Sequence, residues 1–525
     1  MIIKTRKKKF WRSNMRRTKN AMRNIIFGFI NRLVLILGPF VIRTILIKKL
    51  GAEYLGLSSL FTSILQVLNL TELGFSSAVV YSMYKPIVEK DVEKICALLN
   101  FYKKVYRIIG CVILVLGIAI MPFIRNLING SYPNDINIYI LYGIYLFNTV
   151  ISYFLFAYKG ALLTAHQRND VNSNINSIMN IIQYIIQIFV IYLWKNYYVY
   201  VVIFPIITIL NNIWCAVKVS QMYPQYLPKG KISKDLINDM KKQIRGLMIQ
   251  KICGTTRNSL DSIFISAFLG LNMVAIYSNY YSIMTAIIGV MNIISTAIVP
   301  SIGNSIVTES VDKNYNDMNK FNFIYMWISG WCTICLACLF QPFMKIWMGE
   351  EYMFSSYFII ILLCIYFYVL KMGDIRAAYS DAKGLWWENR YRAIVESLAN
   401  IILNIILGKI FGIAGIIAGT LISLLIINFG YGSQILFEFY FGKDRIIEYF
   451  KSNIIYALVT FVISIVTGLI CYSVGLDGIN GLIIKSIICV IIPNIMYILI
   501  YCKTKKFKEA KKFIISIVSK EGVVK

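Results

Sequence analysis

Arg32 and Arg43 stand in one long apolar run, and Arg257 and Asp261 stand in another. A charge held near the centre of a membrane costs ~2.5–3.5 kcal/mol on insertion scales, so such residues are read first as functional. Arg32 and Arg43 lie about three helical turns apart, which puts them on one face. Arg257 and Asp261, at i and i+4, also share a face. Guanidinium groups around a cavity suit a phosphate-bearing ligand. Two plainer readings compete: Arg32 and Arg43 snorkel to opposite surfaces, and Arg257 and Asp261 form a structural ion pair. Asp261 and Glu72 are the acids in apolar runs that are candidate ligands for a cation.

Neutral polar residues recur at helical spacing in four apolar runs. One stripe is Ser59, Thr62, Gln66, Asn69, Glu72 and Ser76, and a second is Asn172, Asn176, Asn180, Gln183 and Gln187. A third holds Ser278, Ser282, Thr285 and Asn292, and a fourth Arg392, Glu396, Asn400 and Asn404. Each stripe occupies one helix face, which turns to other helices or to water and not to lipid. A single stripe reads as interhelical glue. Four of them suggest a shared hydrated cavity, lined by Gln66, Asn69, Asn172, Asn176, Asn180, Gln183 and Asn400. Amides and hydroxyls there match a hydroxyl-rich ligand such as a sugar.

Bond-making chemistry finds little support. His166 is the sole histidine, which excludes a histidine-based metal centre or triad. Cys332, Cys335 and Cys338 fall on one helix without a histidine, so small-residue packing is expected there and no metal. There is no P-loop, so the chain does not itself hydrolyse ATP. Glu350, Glu351 and Asp381 read as solvated acids. No catalytic residue and no cofactor is expected.

These residues belong to a chain that is 58% apolar and only 15% charged over 525 residues. Soluble domains carry about 25% charged residues and lack long apolar runs. Hydropathy predicts an all-α polytopic membrane protein of about 14 transmembrane helices. They run near 25–47, 55–83, 106–127, 136–158, 171–194, 197–218, 244–269, 274–300, 321–347, 354–377, 393–410, 413–437, 454–474 and 479–502. The first has a basic lead and full length, as a signal anchor does. Alternate loops hold roughly forty Lys and Arg against roughly six, which places both termini in the cytoplasm. The net charge of +29 is thus explained by orientation and contact with anionic lipid, with no role for nucleic acid. Two loop segments, Asp91–Tyr106 and Ser233–Leu247, pattern as helices lying flat on the membrane.

The chain also echoes itself. Leu50-Gly51-Ala52 leads into the second helix as Leu269-Gly270-Leu271 leads into the eighth, and Lys159-Gly160-Ala161-Leu162 is matched by Lys383-Gly384-Leu385-Trp386. A parallel repeat of two six-helix lobes follows, with limits 1–222 and 223–445, and two added helices with a basic tail over 446–525.

Several segments resemble a known family. They are Arg43-Thr44-Ile45, Leu50-Gly51-Ala52-Glu53-Tyr54-Leu55-Gly56-Leu57, Glu72-Leu73-Gly74-Phe75 and Tyr84-Lys85-Pro86. With them go Asp381-Ala382-Lys383-Gly384-Leu385-Trp386-Trp387, Arg390-Tyr391-Arg392, Leu407-Gly408-Lys409 and Gly412-Ile413-Ala414-Gly415. Together they resemble the polysaccharide transporters, or lipid-linked oligosaccharide flippases, of the multidrug/oligosaccharidyl-lipid/polysaccharide (MOP) exporter superfamily. The resemblance implies two pseudo-symmetric lobes in a V with alternating access. It implies flipping of undecaprenyl-diphosphate-linked oligosaccharides across a bacterial cytoplasmic membrane, for capsule or O-antigen synthesis. A polysaccharide polymerase and glycosyltransferases would then be partners, and the membrane potential or a Na+ or H+ gradient would drive transport. Two alternatives stand beside it. A multidrug cation antiporter would prefer an acidic, aromatic cavity, and a membrane polymerase or glycosyltransferase would carry a large external loop or a soluble acidic-motif domain.

Overall fold

A computed structural model describes residues 27, 30–69, 75–166, 168–232, 254 and 259–521. Glu72, Arg257 and the whole segment 233–247 lie outside them. Among the described residues every regular element is helical. Among the described residues ten helices are long and apolar enough to cross a membrane, or eleven if one bent pair counts as a single span. The chain is therefore a multi-pass, all-α membrane protein. It forms two compact units, Met1–Ala275 and Ile276–Lys525.

In the first unit the helices are α1 (Ile30–Lys49), α2 (Ala52–Leu68), α3 (Phe75–Glu89), α4 (Val92–Ile120) and α5 (Ile138–Phe154). Then come α6 (Gly160–Ala165), α7 (Asn169–Leu193), α8 (Tyr197–Met222) and α9 (Ser259–Leu269). The chain bends by 49° between α5 and the segment Ala157–Ala165. Side-chain oxygens start several of these helices. Asn137 accepts from the amides of Tyr139 and Ile140, and Asn196 accepts from those of Tyr198 and Val199. Both satisfy donors that a helix start leaves unpaired.

The repeated Leu-Gly has a backbone reason. Gly51 joins α1 to α2 at φ 120°, and Gly270 joins α9 to the next helix at φ 85°. Only glycine takes these angles without strain, so each of these two joints between helices carries a glycine.

One expectation changes here. The second expected span contains α2 up to Leu68 and α3 from Phe75, with residues 70–74 outside the described ones. The segment Asp91–Tyr106 does not lie flat as a separate helix. It is the first half of α4, which runs unbroken from Val92 to Ile120. Of its apolar stripe, Ile95, Leu99 and Tyr102 are buried by protein, while Val92 at its start is exposed.

The second unit contains most of α10 (Leu271–Thr308), then α11 (Val311–Trp347), α12 (Tyr357–Met372), α13 (Asp374–Lys383) and α14 (Arg390–Ser423). Helical structure continues through Leu424–Tyr431, α15 (Gly432–Leu436) and Phe437–Phe441, followed by α16 (Ile446–Ser473), α17 (Gly478–Tyr501) and α18 (Lys505–Glu521). The 52-residue segment Arg390–Phe441 holds the eleventh and twelfth expected spans, kinked apart at Gly412. Its two arms press closely together. A Cβ on Gly415 would stand 1.9 Å from the Leu407 carbonyl oxygen, and one on Gly419 would stand 2.7 Å from Asn404 Oδ1. The basic tail is also structured. In α18, Phe513 meets Phe321 edge-on at 5.5 Å, Phe507 stacks on Trp327, and Lys506 donates to Ser452 Oγ.

Candidate functional site

In the first unit the predicted polar residues fall on two helix groups. Helix α1 lies along α7. Ser177 Oγ donates to Asn31 Oδ1 at 3.2 Å, the Tyr184 ring fills the space above Gly38, and Lys49 sits over the Tyr192 ring at 4.8 Å. Asn31 and Gly38 are separated by the same interval as Ser177 and Tyr184, so the helices run parallel in register. Arg32 is then level with Asn176 and Asn180, and Arg43 is level with Gln187. Both arginines are half-buried, as are Asn172, Asn176, Asn180 and Gln183. Another face of α7 exposes Ile181, Ile185, Phe189 and Leu193, the apolar surface that lipid requires. One end of the amide stripe is interhelical glue: Gln187 is 1% exposed and donates to the Tyr200 carbonyl of α8 at 3.4 Å, and Gln183 donates to Gln187.

The second group is α2 with α5 and α9. Gln66 is exposed and accepts from Ser259 Oγ at 3.1 Å. Asn69 accepts from the Tyr153 hydroxyl at 3.3 Å, and Tyr145 donates to Ser58 at 3.0 Å. Thr62, one turn before Gln66, is also exposed, so α2 turns a polar edge outward within an apolar helix. Asp261 on α9 is 2% exposed.

The second unit treats its stripes differently. On α10 the hydroxyls of Ser282 and Thr285 donate to their own helix's carbonyls. On α14 the stripe is wholly enclosed. Asn400 is 0% exposed and its amide donates to Thr420 Oγ1 at 2.8 Å, and Thr420 also donates to Asn404 at 3.4 Å. Asn400 thus binds the two arms of the hairpin to each other and lines no cavity in this arrangement. The interhelical-glue reading describes it.

Two charged clusters lie beside this hairpin; they join Asn292, Arg392 and Glu396 of the predicted stripes to Lys371, Asp374, Arg376 and Asn428, which the stripes did not include. Lys371, 2% exposed, donates to Asp374 at 2.7 Å and to Asn292 at 3.1 Å, and Tyr325 donates to the same Asp374 oxygen. Arg376, 3% exposed, donates to Asn428 at 3.2 Å. Asn428 in turn donates to Glu396 at 2.9 Å, and Glu396 is paired with Arg392 at 2.6 Å. Arg392 continues to Asn389, whose amide donates to Ser380. Asn428 lies on a stretch of wide, π-type helical turn, a distortion often seen at functional positions. The signal in the sequence was Lys371, Asp374 and Arg376 closing an otherwise apolar run.

The second unit also carries an apolar groove of about 1160 Å³. Helices α11, α12 and α16 wall it, from Tyr357 and Tyr472 at one end to Met372 and Phe450 at the other.

A family model described as "Polysaccharide biosynthesis protein" matches residues 19–306. Among solved structures, the lipid II flippase MurJ in an inward closed conformation is similar with a TM-score of 0.66 and 19% identity, over 91% of this chain and 99% of that one. A MATE transporter of Vibrio cholerae follows at TM-score 0.56 and 13% identity, covering 80% of this chain and 97% of its own. A MOP superfamily transporter from Pyrococcus furiosus gives 0.54 and 15%, over 80% and 96%. No curated protein sequence matches. At these identities the structures speak for the fold alone, and it is the fold of MOP transporters. The family model covers more than half of the chain, and the chain therefore belongs to the polysaccharide biosynthesis protein family.

Proposed function

We propose that the protein is a flippase for undecaprenyl-diphosphate-linked oligosaccharides, carrying repeat units from the inner to the outer leaflet of a bacterial cytoplasmic membrane by alternating access. The observation that carries this reading is the α1–α7 pair. Two half-buried arginines stand level with the middle and one end of an amide-bearing face, inside helices whose other faces are apolar. Arginine charge offsets a diphosphate, and amides replace water around the sugar. Many weak hydrogen bonds suit a substrate that must also leave. The lipid tail stays in the apolar surroundings of the bilayer.

Both termini face the cytoplasm in this account, and the lobes have the limits 1–222, 223–445 and 446–525. An inside-negative potential then favours outward movement of the anionic head. For two charges at 100 mV the gain is ~4–5 kcal/mol. Asp261, and Glu72 beyond the described residues, are the candidate sites for a coupling cation. A polymerase and glycosyltransferases are the expected partners, and no bond chemistry is assigned to the chain itself. A drug-cation antiporter is disfavoured by Arg32 and Arg43, which would repel its substrate.

The test is substitution of Arg32, Arg43 and Arg257 by glutamine, singly and together, in cells that depend on this protein for surface polysaccharide. Lower polysaccharide output at unchanged protein level is expected. Full output from the triple variant would remove the cationic path.

A further inference from the structure

Cys338 lies on α11, Cys471 two residues before the end of α16, and Cys489 in the middle of α17. Three separate helices thus bring their sulfurs to one point: the Sγ atoms all lie within 4.8 Å of one another. Cys471 and Cys489 are 3.9 Å apart, sulfur to sulfur. All three side chains are buried, at 9%, 4% and 0% exposure. Cys335, one turn before Cys338, places its Sγ 3.9 Å from the Cys489 carbonyl oxygen. Small-residue packing accounts for cysteines scattered through a core. It gives no reason for three helices to converge sulfur on sulfur. Three sulfurs held in a plane at about 2.3 Å from one ion stand ~4.0 Å apart. The Cys471–Cys489 pair already has that spacing, and Cys338 reaches it by a shift of less than ~1 Å.

We propose that Cys338, Cys471 and Cys489 form a binding site for a soft monovalent cation, Cu(I) or Ag(I). The donor set contains sulfur only. The chain's sole histidine lies in the other unit, and no carboxylate belongs to the cluster. Thiolate donors select soft ions, while a structural zinc site takes four ligands in a tetrahedron. Three buried sulfurs suit a three-coordinate monovalent ion better. Charge points the same way, because an apolar interior penalises every uncompensated charge. One thiol loses its proton to water, its S–H bond is replaced by a metal–sulfur bond, and the other two thiols coordinate through lone pairs. The cation replaces the proton, so the site stays neutral and no electron is transferred. The bound ion would tie α16 and α17 to α11.

Purified full-length protein titrated with Ag(I) tests this, with bound silver counted per chain after desalting through a competing chelator and the melting temperature read alongside. The wild type is expected to retain one equivalent and to melt higher with silver than without. Cys471→Ser and Cys489→Ser should each lose that equivalent and the upward shift, whereas a Cys96→Ser/Cys111→Ser/Cys502→Ser variant should keep both. If a serine variant folds poorly, Cys338→Ala supplies the same comparison. X-ray absorption of Cu(I)-loaded protein should show sulfur alone in the first shell. Equal retention by the wild type and a Cys471→Ser/Cys489→Ser double variant, or no equivalent held by the wild type, would overturn the site.

Discussion

Replacing Glu396 with glutamine removes the carboxylate from the hydrogen-bonded chain that links Arg376, Asn428 and Arg392. In the structure Glu396 Oε2 accepts from Arg392 at 2.6 Å and from Asn428 at 2.9 Å, and both Arg376 and Arg392 are nearly enclosed, at 3% and 6% exposure. The variant therefore leaves two guanidinium groups inside the protein without the carboxylate that binds them together. Taking one partner from a buried pair costs about 3–5 kcal/mol, because the other charge stays desolvated. Glutamine keeps the volume and still offers one acceptor, so ~3 kcal/mol is expected. A unit of this size shifts by about 2–4 °C per kcal/mol, which predicts a fall of ~6–12 °C in melting temperature. Size-exclusion analysis of heated, detergent-purified protein reads this directly. The double variant Arg392→Gln/Glu396→Gln removes both charges and should recover at least half of the loss. Melting of Glu396→Gln within about 1 °C of wild type would refute the reasoning, as would a double variant worse than the single.

Other substitutions probe separate parts of the account. Gly415→Ala puts a methyl group 1.9 Å from the Leu407 carbonyl, so the hairpin must open and little folded protein should be recovered, while Gly143→Ala, with nothing within 4 Å, should express normally. His166 stacks on Tyr223 at 4.3 Å and burial lowers its pKa, so the folded state holds it neutral. The unfolded chain then binds the extra proton, and stability falls as pH drops from 7 through ~6.5; His166→Gln should flatten that part of a melting-temperature profile. Asn129→Ala removes an amide that donates to the Phe268 carbonyl at 2.7 Å near the end of α9, and faster hydrogen exchange is expected at Ser266–Leu271. Arg43→Gln should slow transport without lowering the amount of folded protein, as checked by quantitative blotting beside a flipping assay.

Hydropathy and loop charge made the helices legible because the bilayer forces long apolar runs to be helical. The Leu-Gly echo was legible too, since Gly51 and Gly270 occupy the same backbone role at two joints. Other features were not. An amphipathic stripe such as Ile95, Leu99 and Tyr102 reports one apolar face and is silent on whether lipid or protein covers it. Lys371 and Arg376 close an apolar run, where long cations commonly snorkel; their burial depends on Asn292, Asp374 and Asn428, which the fold supplies. The same holds for Asn400, whose partner Thr420 becomes a neighbour only when the chain turns back at Gly412. Cys338 stood among α11 cysteines in the sequence, but the sulfurs it meets arrive on α16 and α17.

The most direct measurement of the proposed function is appearance of a fluorescent undecaprenyl-diphosphate oligosaccharide in the outer leaflet of proteoliposomes that contain only this protein. The account predicts movement that depends on the protein, quickens with an inside-negative potential and weakens in Arg32→Gln and Arg43→Gln. No movement of any of several such glycans by folded protein, or movement indifferent to both arginines, would contradict it.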